Sequence, residues 1–262
     1  MAIHTTRTAR MAAAFLLTAG LSLPALAQEG APAEAQPAEA NADLPEGFDI
    51  LERHVEAIGG AEAGKKLTGV RMSGAMSMPA MGMTGSITVS AAPPAKQLIE
   101  ISLGNMGSMV QATDGERAWA SQPGGAVQMI PEPQASAMIE SADFNARYEP
   151  RERYASATTT GTENMDGVDV YVVELTTSSG EESIGYYSVE TGLQHAEKTR
   201  IAPGSDTFGN EVVFLDYKDY DGMKFPTTMK MVQQGFAQEL TFETIEINPE
   251  FDAGAFDAPG DL

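Results

Sequence analysis

Alternation of apolar and polar residues with a period of two, repeated between residues 70 and 247, constrains the fold of this chain more than any other feature. In residues 70–78, valine and methionine alternate with arginine, serine and small residues. In residues 83–91, methionine, isoleucine and valine alternate with threonine and serine. A period of two is that of a β-strand, and strands with one apolar and one polar face form antiparallel sheets with one side in water.

Turn-forming residues separate these runs. Asp-Gly or Ser-Gly pairs stand at 114–115, 166–167, 179–180 and 221–222, and each favours a tight reversal between strands. Later strands are predicted at about 156–164, 168–176, 183–189, 194–201, 209–219, 223–234 and 236–247. The pattern predicts roughly a dozen strands. Because strands and helices do not alternate, it argues against a parallel sheet.

Two segments have helical character. Phe48, Leu51, Val55 and Ile58 recur at spacings of 3, 4 and 3 residues and form one apolar stripe, which Gly59-Gly60 ends. Residues 131–143 predict a second, short helix with proline near its start. The predicted fold class is therefore α+β: a single large curved antiparallel β-sheet, an unclosed half-barrel, with helices covering its apolar face.

The first residues have the pattern of a secretory signal peptide. Arg7 and Arg10 precede the apolar run 11–23, and Ala25-Leu26-Ala27 is a small-x-small cleavage site. We predict a signal peptide over 1–27, a flexible acidic Ala/Pro/Glu linker over 28–46 and one folded domain over 47–262. No later segment is long and apolar enough to span a membrane. The expected location is the periplasm, with secretion as the alternative, and the expected state is a monomer.

Charge and cysteine content exclude several classes of function. The chain has 37 Asp+Glu against 16 Lys+Arg, a formal net charge of -21, and no cysteine. A strongly acidic surface repels nucleic-acid phosphates, so we expect no nucleic-acid partner. Without cysteine there are no disulfides, no thiolate catalysis and no zinc ribbon.

The sequence contains none of the common catalytic or nucleotide-binding motifs considered next. G-x-S-x-G, the P-loop and G-x-G-x-x-G are absent from the sequence. His54 and His195 lack metal-ligand spacing, and we interpret both as solvated or hydrogen-bonded histidines. A pair of catalytic carboxylates remains an alternative, because a sequence does not show the distance between two acidic side chains in space. We expect a protein that is not an enzyme and has no cofactor.

A methionine cluster allows two interpretations. Met76, Met78, Met81 and Met83 fall within eight residues. Thioethers are soft ligands, so a copper(I) site is one alternative. The other is an apolar lining, because Met76 and Met78 share a face with Val70. Methionine is flexible and suits surfaces that fit variable apolar guests.

The sheet offers more apolar surface than two or three helices can cover. If the sheet curls, the remaining space becomes a cavity suited to acyl chains. Each buried methylene contributes about 0.8 kcal/mol, so a chain of ~14 carbons gains about 10 kcal/mol. The candidate lining residues are Leu51, Val55, Met72, Met76, Met78, Ile87, Val89, Ile99, Ile101, Phe225, Met229 and Met231.

Three segments resemble a known family. These are HVEAIGGAEAGKKL (54–67), DYKDYDGMKFPTTMKM (216–231) and INPEFDAGAFDAP (247–259). They are similar to the first helix, a strand-turn-strand and the final tail of bacterial outer-membrane lipoprotein-sorting proteins of the LolA-like superfamily. The resemblance covers roughly residues 47–260, with the middle strands matched by pattern only.

The resemblance implies an unclosed barrel with a helical lid over a hydrophobic cavity. Members of this superfamily carry or sense lipids or lipoproteins, and the archetypal carrier latches its lid with an arginine. Arg147, Arg151 and Arg153 flank the second predicted helix here, and no motif selects one of them. The expected function is a periplasmic carrier that binds lipid or lipoprotein acyl chains and acts as their chaperone. The alternatives are an envelope regulatory or interaction module on the same fold and a methionine-rich copper-binding protein.

Overall fold

The fold is one antiparallel sheet of thirteen strands in the order β6-β5-β4-β3-β2-β1-β13-β12-β11-β10-β9-β8-β7. A computed structural model describes residues 44–233 and 235–258. The strands are β1 (Val70–Met78), β2 (Met83–Ala92), β3 (Lys96–Ser102), β4 (Ser108–Thr113), β5 (Ala118–Ser121), β6 (Gln128–Met129), β7 (Tyr154–Met165), β8 (Val168–Thr177), β9 (Glu182–Ser188), β10 (Gln194–Arg200), β11 (Phe208–Tyr220), β12 (Met223–Gln233) and β13 (Phe236–Ile247). The predicted signal peptide and residues 28–43 of the predicted linker lie outside the described residues.

Within the described residues, four α-helices accompany the sheet. They are α1 (Gly47–Ala57), α2 (Ala61–Gly64), α3 (Gln134–Ser141) and α4 (Pro150–Arg153). A 3-10 turn, Ala146–Tyr148, joins α3 to α4. Within residues 44–233 and 235–258, no helix combines the length and hydropathy needed to cross a membrane.

The chain order explains the topology. Sequential strands pair as hairpins from β1 to β6 and again from β7 to β13, and β13 returns to pair with β1. The two outermost strands, β6 and β7, are not neighbours in the sheet, so within the described residues the sheet is not closed. This confirms the predicted single antiparallel sheet without closure.

The main core lies on the face of the sheet that the helices cover. Val55 and Ile58 of α1 pack with Phe144 and Tyr148 against apolar side chains of β1–β4, β12 and β13. A second cluster joins Ile50 and Leu51 of α1 to buried side chains of β8 and β9. Burial of the α1 stripe confirms the helical periodicity in the sequence, with Ile50 as an additional buried member.

A bulge shapes the seam between the two halves of the chain. The register of β1 against β13 shifts between Ser73 and Gly74. A Cβ atom on Gly74 would lie 1.9 Å from the carbonyl oxygen of Thr241, so this close approach of two backbones requires glycine. Bulges increase local twist, which helps a wide sheet to curl.

The hairpin ends carry an apolar edge. In an antiparallel meander, the β1–β2, β3–β4, β10–β11 and β12–β13 connections close at the same edge of the sheet. Large apolar side chains are exposed at these connections, among them Met81, Met106, Ile201 and Phe236. We call this row of hairpin ends the apolar edge.

Candidate functional site

A cleft separates the covered face of the sheet from the helices. Its volume is about 270 Å³, and its walls come from α1, from residues 141–153 and from strands β1 and β9–β12. We name residues Gln134–Arg153 the cover segment, because this stretch of α3, the 3-10 turn and α4 forms the roof of the cleft. The cover segment was predicted only in part, since the sequence pattern ended the second helix at about residue 143.

Apolar side chains form the floor of the cleft. Leu51 and Val55 project from α1, Met72 from β1, and Phe225 and Met229 from β12. These five residues belong to the lining predicted from the sequence. The structure brings them together because α1 lies across strands that are far from it in sequence.

The other predicted lining residues have different positions. Met76, Met78, Ile87, Ile99 and Ile101 are buried in the main core, and Met231 packs against it. Val89 borders a smaller cavity of about 120 Å³, which shares Met72, Arg147 and Phe225 with the cleft. The assignment of this set to acyl-chain binding stays a prediction.

The cleft is also lined by polar side chains, which the sequence pattern did not bring together as one set. They include Arg147 and Arg153 of the cover segment, Tyr187 of β9, Glu197 of β10 and Tyr217 of β11. Burial raises the pKa of the Tyr187 and Tyr217 hydroxyls, so both remain neutral hydrogen-bonding groups. The Tyr217 hydroxyl donates to the carbonyl oxygen of Gln194 at 2.9 Å.

His54 lies between α1 and the β9–β10 turn. Its Nδ1 atom is 3.2 Å from the backbone nitrogen of Gln194, which can donate to it, and 3.1 Å from the carbonyl oxygen of Gly192. Its ring packs on Tyr187 with centroids 5.4 Å apart. Burial, with a smaller contribution from the nearby Arg147, lowers the pKa of His54 to about 4, although the hydrogen bond to Gly192 acts in the opposite direction. His54 is therefore a neutral, hydrogen-bonded part of the cleft wall at pH 7.

Arg153 stands at the polar end of the cleft. Its guanidinium group lies 5.3 Å above the ring of Tyr154, and its Nε atom is buried without a hydrogen-bond partner in the described part of the chain. Burial opposes the charge of Arg153, but Tyr154, Glu197 and other acidic groups hold its pKa above the ordinary value. Arg153 thus presents a half-buried positive charge with an unused, buried Nε donor.

The cleft continues into a wider, acidic mouth of about 630 Å³. The two spaces share Ser141, Asp143, Ala146 and Arg153. Carboxylates of the cover segment, the β8–β9 turn and the start of β9 line the mouth; they are Glu140, Asp143, Glu149, Glu152, Glu181 and Glu182. Arg200 lines the mouth as well, and its Nε atom is 3.5 Å from Glu182 Oε2. Burial and the neighbouring Glu197 raise the pKa of Glu181.

Polar contacts hold the cover segment over the cleft. The Arg151 Nε atom donates to Glu52 Oε1 of α1 at 2.5 Å, and its guanidinium lies 4.9 Å above the Phe48 ring. Glu149 pairs with Lys65, the residue directly after α2, at 2.8 Å. Of the three arginines that the family resemblance brought forward, Arg151 ties α4 to α1, whereas Arg147 and Arg153 line the cleft.

The candidate metal ligands do not form an obvious centre. Within residues 44–233 and 235–258, no group of three or more histidines and carboxylates is arranged to hold a metal ion. In the methionine cluster, Met76 and Met78 are buried in the core, whereas Met81 is exposed on the β1–β2 connection. The structure thus divides these thioethers between two environments.

The architecture defines a class of protein: an unclosed antiparallel half-barrel with a helical cover over an amphipathic cleft. Solved structures place this fold more specifically. A LolA superfamily protein from Nitrosomonas europaea matches with a TM-score of 0.57 and 15% identity over 82% of this chain and 99% of that one. The fold is therefore LolA-like.

Two further structures share this fold. A DUF1329 family protein from Desulfovibrio piger has a TM-score of 0.60 and 14% identity, covering 82% of this chain and 98% of its own. A domain provisionally named as an outer membrane lipoprotein-sorting protein, from Vibrio parahaemolyticus, has a TM-score of 0.57 and 14% identity, covering 80% and 96%. No protein-family model and no curated protein matches the sequence. At these identities the similarity establishes the fold alone.

Proposed function

We propose that this protein is a periplasmic carrier that shelters the acyl chains of a lipid or lipoprotein in the cleft beneath its cover segment. The observation that supports it best is the cleft itself, with Leu51, Val55, Met72, Phe225 and Met229 on one side and ionisable groups at its mouth. An amphiphile has the same division between apolar chains and polar headgroup. The structural similarity to a lipoprotein-sorting domain agrees with this proposal.

The energetics favour acyl chains over a polar guest. Each methylene transferred from water to the apolar floor contributes about 0.8 kcal/mol. The acidic exterior keeps a loaded carrier soluble. The sequence pattern of a signal peptide over residues 1–27 supports a location in the periplasm. No catalytic constellation is needed for this function, which agrees with the motif analysis.

Displacement of a fluorescent acyl probe tests the proposal. Met229 is half-buried on the cleft side of β12, and Met229→Trp would fill the floor of the cleft. We expect this variant to bind the probe at least about tenfold more weakly, since two excluded methylenes already correspond to ~1.6 kcal/mol. The matched control is Val232→Trp on the same strand, where the side chain is 43% exposed.

The outcome also separates two functions. Equal probe binding by Met229→Trp and the parent protein would remove the cleft from consideration. If the parent protein takes up no acyl probe, the interaction-module alternative is favoured instead. The apolar edge, where Ile201 is 61% and Phe236 57% exposed, is the surface that supports this second candidate.

A further inference from the structure

The two arginines of the cleft have no acidic partner at contact distance. No carboxylate in the described ranges lies within 4.0 Å of a guanidinium nitrogen of Arg147 or Arg153. Arg153 also retains a buried Nε donor without an acceptor. Buried donors are almost always satisfied in folded proteins, and the exceptions point to a ligand or an ordered water. Arg153 is half-buried, whereas Arg147 is exposed at the cleft. In a chain with a net charge of -21, two arginines without a carboxylate partner at one cleft are informative.

The two connected spaces differ in their balance of charge. Besides its apolar side chains, the cleft is lined by three cationic residues, Arg147, Arg153 and Lys224, and by two carboxylates, Asp143 and Glu197. The mouth is lined by six carboxylates and by two cationic residues, Arg153 and Arg200. The balance of charge is therefore positive in the cleft and negative in the mouth, and Arg153 lines both spaces.

We propose that the cleft selects lipids with a zwitterionic headgroup, binding the phosphate at Arg153 and Arg147 and the ammonium group at the carboxylates of the mouth. This inference rests on the proposed function, because the acyl chains must occupy the apolar floor. In phosphatidylethanolamine the phosphate is next to the chains and the ammonium group lies beyond it, which matches a cleft with a positive balance of charge that opens into a negative mouth.

Guanidinium geometry suits the inner part of this headgroup. Arginine presents a planar fork of donors that matches two phosphate oxygens, and such charge-assisted hydrogen bonds are stronger than neutral ones. Tyr154, against which the Arg153 guanidinium stacks, restricts its motion. A phosphate oxygen at Arg153 would supply the acceptor that its Nε atom lacks.

The mouth discriminates against lipids with only a negative charge. Glu181 lies close to Glu197 and Glu140, and this crowding contributes to the raised pKa of Glu181. An ammonium group would relieve the repulsion, whereas a second anionic group would add to it. The inner arginines likewise disfavour a headgroup that is only cationic.

A lipid panel with identical short chains tests the proposal on the parent protein. Dioctanoyl phosphatidylethanolamine, dioctanoyl phosphatidylglycerol and dioctanoylglycerol compete for the acyl probe, together with dodecylamine and free phosphoethanolamine. We expect the phosphatidylethanolamine to compete at about tenfold lower concentration than the other two lipids. Free phosphoethanolamine should not compete in that range, because it lacks the chains.

Substitutions at Arg153 and Glu181 test whether these two residues cause the preference for the zwitterionic headgroup. With Arg153→Gln, phosphatidylethanolamine should displace the acyl probe at about the same concentration as dioctanoylglycerol. With Arg153→Lys, part of the difference between these two concentrations should remain. Glu181→Gln should weaken the competition by phosphatidylethanolamine and should leave the competition by phosphatidylglycerol unchanged or stronger. The matched controls are Arg117→Gln on the β4–β5 turn and Glu163→Gln on β7, both exposed and outside the cleft.

The possible results are distinguishable. If all three lipids displace the probe equally, or if phosphatidylglycerol or dodecylamine is preferred, headgroup selection is wrong while the carrier function stands. Tight competition by free phosphoethanolamine would point to a soluble phosphate ligand and would also overturn the proposal. If no acyl compound binds, both the carrier function and this inference fail.

Discussion

His54 shows how position in the fold determines the charge of a single residue. Its Nδ1 atom is within 3.2 Å of the Gln194 backbone nitrogen, and burial lowers its pKa to about 4. An unfolded histidine titrates near 6.5. Between these two pH values the unfolded state binds more protons than the folded state, so acidification favours unfolding.

We therefore predict that the free energy of unfolding falls by up to about 3 kcal/mol through His54 between pH 6.5 and pH 4. His54→Asn should show a correspondingly weaker pH dependence in that range, because no group at this position can then be protonated. Urea unfolding at several pH values measures this difference. The control His195→Asn leaves His54 intact and should keep the slope of the parent protein. Equal slopes for His54→Asn and the parent would contradict the assignment.

Met76 illustrates a residue that alternation alone cannot assign to a cleft or to a packed core. The alternating pattern places it on the apolar face, which is correct, but its side chain is only 2% exposed within the main core. A charged residue at this position would be buried without a partner and would destabilise the fold. Met229, which is half-buried against the cleft, is the better position for testing ligand binding.

The pairing of β1 with β13 joins the first and last strands of the chain in the middle of the sheet. Each half of the chain forms its own meander, and this pair connects them. At the Ser73/Gly74 bulge the backbones approach so closely that a Cβ on Gly74 would meet the Thr241 carbonyl oxygen at 1.9 Å. The integrity of the whole sheet therefore depends on a residue without a side chain.

We expect Gly74→Ala to lower the free energy of unfolding by about 1–3 kcal/mol, because the strands must separate to admit the methyl group. The matched control is Gly161→Ala on β7, where an added Cβ has no atom within 4 Å among the described residues. That control should be neutral or stabilising by ~0.4–1 kcal/mol. Chemical denaturation measures both variants, and equal stabilities would show that the seam tolerates a side chain.

At the scale of the whole molecule, the cover segment forms the roof of the cleft, so the size of the cleft depends on the position of this segment. The cleft volume of about 270 Å³ is smaller than the ~300–1,000 Å³ typical of pockets for small ligands, and a lipid with two chains needs more. Under the proposed carrier function, loading of such a lipid would require the cover segment to move away from the sheet. Its polar attachments to α1, such as Arg151–Glu52, are exposed and break at little energetic cost, whereas Phe144 and Tyr148 anchor it in the main core.

We predict that backbone amides of the cover segment, residues 134–153, exchange hydrogen faster than those of β1 and β13 in the free protein. Saturation with dioctanoyl phosphatidylethanolamine should slow exchange in the cover segment, because the chains would pack against its inner side. Mass spectrometry of deuterium uptake measures this. The central strands are the internal reference, and unchanged uptake in residues 134–153 with lipid bound would show that this segment is not the gate.

The sequence determined the elements and the faces they present. Period-two alternation, Asp-Gly turns and the α1 stripe depend on neighbours along the chain, so the antiparallel sheet and its first helix could be predicted. The short helix α4 could not, since four residues carry too little periodicity. The sequence pattern predicted the residues of the cleft floor in one set with core residues such as Met76. Side chains that border a cleft and side chains that fill a core alternate with polar residues in the same way, so the pattern could not separate them.

Only the tertiary structure decided which residues meet. Arg153 is the last residue of α4, Glu197 lies on β10 and Tyr217 on β11, and the fold brings them to one cleft. Curvature depends on long-range strand pairing and on the bulge at Gly74, neither of which leaves a local signal in the sequence. The apolar half of the site was therefore visible in the pattern of residues, whereas its charged half appeared only when distant strands were placed side by side.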